Sequence, residues 1–297
     1  ASVQERPDYR AFVALREAVG GGDPRWSMAT KERIEKLTVE ATQAWYDHLA
    51  REAPMEVAVV GNVTFDQVKP LLERYIGSLP NRPRGADKLM PLRKLTRGEG
   101  PFNHDVPLPS GAQQGTYLYG FIGCNASAVD DSRMLQMAAS ILSDRMQKQV
   151  REPLGLPFPV YVENSSGVAF EDSGTFLAAG PAAVGQAGEL ADAAARIFKE
   201  FAEKGPTEEE VQKARAELLD GLDDEMKTST YWLQLLQTFD IAHVDLAKLS
   251  TIREDVAGYT PEQIRETFAK YYKPARVFRV VTTSAAATQP TATTPNP

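Results

Sequence analysis

The hydrophobic positions in the first part of the chain predict a helix, a strand and another helix. In residues 30–49, apolar side chains recur every three or four positions, which predicts one buried helical face, broken at Thr38 into two helices. The run "MEVAVVGN" at residues 55–62 is short and β-branched, and predicts a strand buried on at least one side. Thr64 and Gln67 have capping-box spacing before a further apolar stripe, so we expect a helix that stops near Gly77.

The second part of the chain carries a longer series of patterned segments. "GTYLYGFIG" at residues 115–123 predicts a strand covered on both faces, and Ser127 begins a long helix with an apolar stripe. Two strands, four helices and a last strand are predicted after it. These are "VYVENS", "GTFLAAGP", helices near 185–204, from Thr207, near 245–256 and near 261–272, and "RVFRVVTT".

Two segments lack periodicity. Residues 81–110 are rich in proline and basic side chains, which is typical of a linker between domains, and the basic run predicts a solvated face rather than a site for an acidic partner. Residues 285–297 are rich in Ala, Thr and Pro and are expected to be disordered. The pattern therefore predicts a partial domain in 1–80, a linker in 81–110 and a complete domain in 111–284.

Strands and helices are mixed, with the helices grouped towards the second half. This order favours an α+β fold, a two-layer α/β sandwich, over an alternating doubly wound sheet, and the sequence has no glycine-rich dinucleotide motif.

Composition narrows the classes of partner. A net charge of −7, from 33 basic and 40 acidic residues, argues against a dedicated nucleic-acid or anionic-membrane surface. No apolar run reaches the roughly 18 residues of a membrane span. The start "ASVQERPDYR" lacks the features of a signal peptide, so we expect a mature chain or one cut from something longer. The single cysteine excludes an internal disulfide framework.

The residues that carry chemistry are few. The three histidines form neither an HxxEH nor an HxxxH pair, and the spacing of His48 and Glu52 predicts a surface ion pair rather than half of a metal site. Cys124 follows an apolar strand and is expected to be a buried, inert thiol. We therefore expect no bound metal and no self-sufficient catalytic apparatus in this chain.

Three segments resemble the M16 (pitrilysin/insulinase) zinc metallopeptidases, especially the large bacterial members of the PqqL-like kind. Residues 23–83, "DPRW" to "GSLPNRP", resemble the end of an odd-numbered domain of that family. "MLQMAASILSDRMQKQVREPLGLPFPV" resembles the helix and following strand of an even-numbered domain, and "STYWLQLLQ" resembles a stretch near the C-terminus of longer members. The resemblance implies α+β sandwich domains of the LuxS/MPP-like metallohydrolase type, with one partial and one complete domain here.

The resemblance also implies a division of labour between two halves of a closed chamber. The first half of such enzymes holds zinc in an HxxEH motif with a distal Glu ligand, and the second half contributes an Arg and a Tyr, seven residues apart, that grip the substrate backbone. These two positions correspond to Arg151 and Phe158, so the hydroxyl of the family's Tyr is absent here. From the residues alone, Arg151 is equally a cation at a helix C-terminus, and Phe158 is equally a core aromatic on a strand.

Together these points predict the C-terminal, non-zinc-binding portion of an M16 metalloendopeptidase. It would bind no catalytic zinc and cleave nothing by itself, and would hold extended peptide or unfolded protein, by addition to a sheet edge. Its expected partner is a zinc-bearing N-terminal half or a separate M16 subunit. The alternative is an inactive M16 homologue that serves as a recognition or scaffold subunit. The bacterial cell envelope or periplasm is the expected location, with the cytoplasm as the alternative.

Overall fold

The computed structural model describes residues 5–81, 87–156, 159–245 and 247–284. The strands are β1 (Phe102–Pro107), β2 (Gln114–Ile122), β3 (Tyr161–Ser165), β4 (Thr175–Ala183) and β5 (Val277–Thr283). The helices are α1 (Pro7–Gly20), α2 (Lys31–Glu35), α3 (Val39–Glu52), α4 (Phe65–Tyr75), α5 (Val129–Met146), α6 (Glu152–Leu154), α7 (Ala187–Lys204), α8 (Glu208–Glu225), α9 (Ser229–Gln237), α10 (Ala247–Ser250), α11 (Ile252–Gly258) and α12 (Pro261–Tyr271).

The five strands form one sheet in the order β1-β5-β2-β4-β3. β1 runs parallel to β5, and the other neighbours are antiparallel. The register places Tyr117 of β2 opposite Gly180 of β4 and opposite Val281 of β5. β3 is therefore one edge strand of the sheet, and β1 is the other.

A layer of helices covers one face of the sheet, which confirms the two-layer α+β sandwich. The predicted stripe of α5 is buried, and it packs with α7, α8 and α12 around a group of aromatic rings. Phe121 and Phe176 stack with ring centroids 4.9 Å apart, and Phe268 meets both edge to face. Such rings bury large apolar areas and hold the helical layer on the sheet.

Helix α1 covers part of the opposite face, which the sequence pattern did not predict. Its buried residues Ala11, Leu15 and Val19 pack on a second apolar cluster that includes Leu118 and Phe278. α1 lies within residues 1–80, which were predicted to be a separate partial domain. Its contacts, however, are with the sheet that was predicted to belong to the second domain.

The predicted helices of residues 30–77 form, but their burial and the intervening strand were predicted wrongly. Thr38 caps α3, and Thr64 and Gln67 make the predicted capping box at α4. Neither helix buries a residue, and residues 55–62 form no strand. Local signals suffice for a capped helix, whereas a strand and a buried face need a neighbouring sheet, which the described residues do not place there.

The two ends of the segment 27–91 lie close together in space. Arg25 donates hydrogen bonds to the carbonyl oxygens of Leu92 and of Lys94, the second at 3.4 Å. Gly21 lies against Thr96, so closely that a Cβ on the glycine would be 2.4 Å from the Thr96 carbonyl oxygen. Arg93 donates to the carbonyl oxygen of Val168, in the loop between β3 and β4, at 2.7 Å. The two ends of this segment are thus held together beside the loop between β3 and β4.

The segment predicted as a linker contains strand β1, which belongs to the sheet. Parallel pairing with β5 was not predicted, and it brings residues Phe102–Pro107 of that segment into the sheet. The predicted tail at 285–297 lies outside the described residues. The division into domains remains a prediction.

Candidate functional site

The candidate site begins where α5 ends. Beyond Met146 the helix widens into a π turn, Gln147–Arg151, before the short α6. Pro153 has no N–H, and in regular helix its ring would clash with the carbonyl of Gln149, so the wider turn accommodates it. Gly155 then ends the helix with φ at +59°, in the left-handed region that favours glycine. The helical run that begins near Ser127 in the sequence therefore ends at Leu154-Gly155.

Arg151 lies in this π turn. Its Nε atom is buried and has no hydrogen-bond partner within the described part of the chain. An arginine carries five N–H donors, and a buried donor without an acceptor costs about 1–3 kcal/mol. The residue therefore has an unused donor at the junction between α5 and β3. Phe158, the other predicted site residue, lies outside the described residues.

The outer edge of β3 is not open along its whole length. The backbone N–H of Val162 donates to the Ser143 hydroxyl oxygen at 2.9 Å, and the hydroxyl donates to the Val162 carbonyl oxygen at 3.2 Å. Ser143 belongs to α5, so the helix covers this edge at Val162, the second of the five residues of β3. A peptide that added to β3 as another strand would have to displace Ser143.

The backbone leading into β3 passes close to Gly180 of β4, where a larger residue would be tightly packed. A Cβ on Gly180 would lie 3.1 Å from the Pro159 carbonyl oxygen and 3.3 Å from a ring carbon of Tyr117. Val160 is buried on the helical side, and Tyr161, the next residue, is exposed on the other. The start of β3 is thus fixed against the middle of the sheet.

Tyr117 adds a second unpaired polar atom to this region, which the sequence did not single out. Its hydroxyl is buried without a hydrogen-bond partner among the described residues, and burial raises the pKa of the phenol, with Tyr161 adding to the effect. It stays a neutral donor. Alternating aromatic residues in β2 predicted a core position, and nothing in the pattern distinguishes a satisfied tyrosine from an unsatisfied one.

His48 and Cys124 lie as the sequence predicted, whereas His104 lies in strand β1. The His48 Nδ1 atom is 3.4 Å from Glu52 Oε1 on the surface of α3. Burial raises the pKa of the Cys124 thiol, which keeps it protonated and unreactive. In the part of the chain that the structure describes, no three His, Cys, Asp or Glu side chains converge as metal ligands do. No described helix has the length and apolar character to cross a bilayer.

Comparison with known sequences gives two matches. Residues 36–218 match the family described as the Peptidase M16 inactive domain. An uncharacterised zinc protease of Mycobacterium leprae is 25% identical over 247 residues, which cover 80% of this chain and 53% of that protein. The chain thus spans about half the length of this curated relative.

Solved structures share the fold. The M16 inactive domain from Pseudomonas fluorescens superposes with a TM-score of 0.79 at 18% identity, over 97% of this chain and 68% of that one. The periplasmic protease PqqL from Escherichia coli superposes with a TM-score of 0.70 at 17% identity, over 95% of this chain and 31% of that one.

Proposed function

Because this chain belongs to the M16 peptidase family and matches its inactive domain over residues 36–218, we propose that it is the substrate-holding portion of a two-part zinc endopeptidase. In this proposal it forms half of a closed chamber and binds extended peptide or unfolded protein. Arg151 and Phe158 contact the substrate backbone. The zinc and the water that attacks the peptide bond are supplied by an N-terminal half or a partner M16 subunit.

One observation carries the proposal. The unpaired, buried Nε of Arg151 lies at the point where α5 gives way to the edge strand. A guanidinium held by a helix presents fixed N–H donors, which suits a peptide carbonyl oxygen, and a bound carbonyl would satisfy the atom that is unpaired in the free protein.

The Ser143 contact refines how peptide would be held. Backbone pairing along β3 would break two hydrogen bonds, so we propose that the peptide lies ahead of the strand, beside Arg151 and Val160. Side chains, rather than a continuous ladder of backbone bonds, would then provide most of the affinity.

The proposed location is the bacterial cell envelope or periplasm, the compartment named for the Escherichia coli neighbour. Fractionation of the source cells, with detection of this chain by antibody, tests it. Recovery with a cytoplasmic marker would support the alternative.

Metal content and hydrolysis test the division of labour. The purified chain is expected to contain less than a tenth of an equivalent of zinc and to leave a quenched peptide library uncut. Stoichiometric zinc with chelator-sensitive hydrolysis would show that this chain is itself the catalytic half.

Arg151 is tested in the full product of the gene that encodes this chain. Arg151→Gln removes the charge and three N–H donors, and is expected to weaken binding of a fluorescent unfolded peptide by about tenfold, the loss of about one charge-assisted hydrogen bond. Arg196→Gln, at an exposed arginine of α7, is the matched control and should change affinity less than twofold. Unchanged affinity in Arg151→Gln together with lower stability would make Arg151 a helix-end cation only.

Phe158 favours a second candidate, an inactive homologue that recognises or scaffolds other proteins. A phenyl ring cannot donate the hydrogen bond that a tyrosine hydroxyl gives to a developing oxyanion. Reading the gene upstream of residue 1 separates the candidates, because an HxxEH motif followed by a distal Glu supports the peptidase. Phe158→Tyr should raise turnover in an active peptidase and have no effect on a scaffold.

A further inference from the structure

Two tyrosines of β2 face the helical layer, and only one of them has a bonded hydroxyl. The Tyr119 hydroxyl lies 2.8 Å from that of Tyr272 and shares a hydrogen bond with it. The Tyr117 side chain is fully buried, and its hydroxyl has no hydrogen-bond partner among the described residues. An unpaired buried hydroxyl destabilises a folded protein, so its presence is explained if a second state of the protein pairs it.

The hydroxyl of Tyr117 lies over a glycine. The register sets Tyr117 opposite Gly180 of β4, and it sets Gly180 opposite Val160, the residue before β3 begins. A Cβ built on Gly180 would be 3.6 Å from the Tyr117 hydroxyl oxygen and 3.1 Å from the Pro159 carbonyl oxygen. The unpaired donor and this carbonyl acceptor therefore border the same small space above Gly180.

The segment that leads into β3 is packed on the sheet but is not hydrogen-bonded to it. The ladder pairs Tyr161 with Ala179, and two residues earlier the same register sets Pro159 opposite Pro181. Neither proline has an N–H, so the ladder stops there. Among the described residues, none makes a backbone hydrogen bond to Pro159 or Val160. A small shift of this segment therefore breaks no ladder bond.

The outer side of the same segment is the proposed peptide site. The N–H of Val162 points away from β4, towards Ser143. Backbone groups alternate in direction along a strand, so the N–H and C=O of Val160 point to that side as well. A peptide bonded to Val160 would fix the segment from outside, and the Tyr117 hydroxyl is the donor available on the inside.

We propose that Tyr117 is a positioning residue of the peptide site: in the peptide-bound protein its hydroxyl donates a hydrogen bond to the Pro159 carbonyl oxygen. Tyr117 does not touch the peptide and acts through Pro159 and Val160. Because this bond forms only in the bound state, its free energy adds to the affinity for peptide. The inference rests on the proposed function, since it names a residue that orders the site at which the peptide is proposed to bind.

Tyr117→Phe in the full product of the gene tests the role, because it removes one oxygen atom and keeps the ring. Binding of a fluorescent unfolded peptide is expected to weaken about fivefold, the loss of one neutral hydrogen bond. The urea midpoint of the peptide-free protein should stay the same or rise, because the lost hydroxyl is unpaired there. Affinity within about twofold of wild type would overturn the proposal. A lowered midpoint would overturn it too, since the hydroxyl would then be bonded already in the free protein.

Tyr119→Phe is the matched control, with the same atom removed from the same face of β2. It breaks the bond to Tyr272, so the urea midpoint should fall, whereas peptide affinity should stay within about twofold of wild type. An equal loss of affinity in the two variants would overturn the proposal, because it would show a general effect of the core on binding.

Hydrogen exchange of the Val160 amide is a readout that a purely structural hydroxyl would not change. Saturating peptide should slow this exchange at least about tenfold in the wild-type protein, and about fivefold less in Tyr117→Phe, where the segment is held from one side only. Equal protection in the two proteins would overturn the proposal.

The Arg151 variant separates this inference from the proposed function. Weaker binding in Arg151→Gln together with wild-type affinity in Tyr117→Phe would overturn the role of Tyr117 alone. A wild-type protein that binds no peptide would overturn the proposed function and this inference with it.

Discussion

At the scale of single residues, the structure around the start of β3 depends on contacts between residues that are far apart in the sequence. Gly180 leaves room for the Pro159 carbonyl and for the ring of Tyr117, and Ser143 holds the edge of the strand. The sequence identified Arg151 through a family pattern, but it could not identify Gly180 or Ser143. Their roles arise from the pairing of β2 with β4 and from the packing of α5 on β3, which are contacts between distant segments.

Replacing Gly180 with alanine is expected to lower the free energy of unfolding by about 1–3 kcal/mol, because the added carbon meets a backbone carbonyl that cannot move freely. Urea unfolding measures the change. Gly221→Ala in α8 is the control, since the added carbon would meet no described atom within 4 Å apart from the backbone of its own helix, and it should instead stabilise the helix by up to about 1 kcal/mol. Equal effects of the two variants would contradict the proposed close contact.

Ser143→Ala is expected to cost about 1–2 kcal/mol of stability, because two hydrogen bonds to Val162 are lost. Peptide affinity should stay within twofold if the peptide binds ahead of β3, beside Arg151. A tenfold gain in affinity would instead indicate pairing along the freed strand edge. Ser140→Ala, which removes only an exposed bond to Glu217, is the control.

At the scale of elements, a charged pair joins α5 to α8. Arg145 donates to both carboxylate oxygens of Glu210, at 2.7 and 2.8 Å, and its guanidinium lies 5.2 Å from the ring centre of Phe201. Glu210 also completes the capping box of α8 with Thr207. Burial alone would raise the pKa of Glu210, but the bonds from Arg145 and Thr207 outweigh it and hold the pKa below the ordinary 4.5.

This pair predicts a loss of stability in acid. Since the folded pKa of Glu210 is below the unfolded one, its stabilisation is present above about pH 4.5 and is lost as the pH falls through the folded pKa. At pH 7, Glu210→Gln should cost about 2 kcal/mol, and the difference from wild type should shrink towards pH 3. Urea unfolding between pH 3 and 7 measures it, with the exposed Glu209→Gln as control. A difference independent of pH would contradict the ionic origin.

At the scale of the whole molecule, periodicity predicted most helices and strands because local patterning determines them. It failed where burial depends on what lies beside an element. α1 and β1 were missed because each is stabilised by a sheet far away in the sequence, and the run at 55–62 was predicted as a strand although no described residues pair with it. The residues of the candidate site divide in the same way. A local sequence motif identified Arg151, whereas the unpaired hydroxyl of Tyr117 is a result of tertiary packing that the sequence does not show.

The hydrogen bonds from Arg25 to Leu92 and Lys94 have a topological consequence. They predict that the sheet domain is discontinuous in sequence, with residues 27–91 forming an insertion whose two ends meet. Replacing the insertion with a short Gly/Ser loop should leave a protein that unfolds cooperatively, whereas a chain that starts at residue 98 lacks α1 and should expose Leu118 and Phe278 and bind a hydrophobic dye. Thermal unfolding and dye fluorescence distinguish the two. Cooperative unfolding without α1 would mean that the domain is continuous after all.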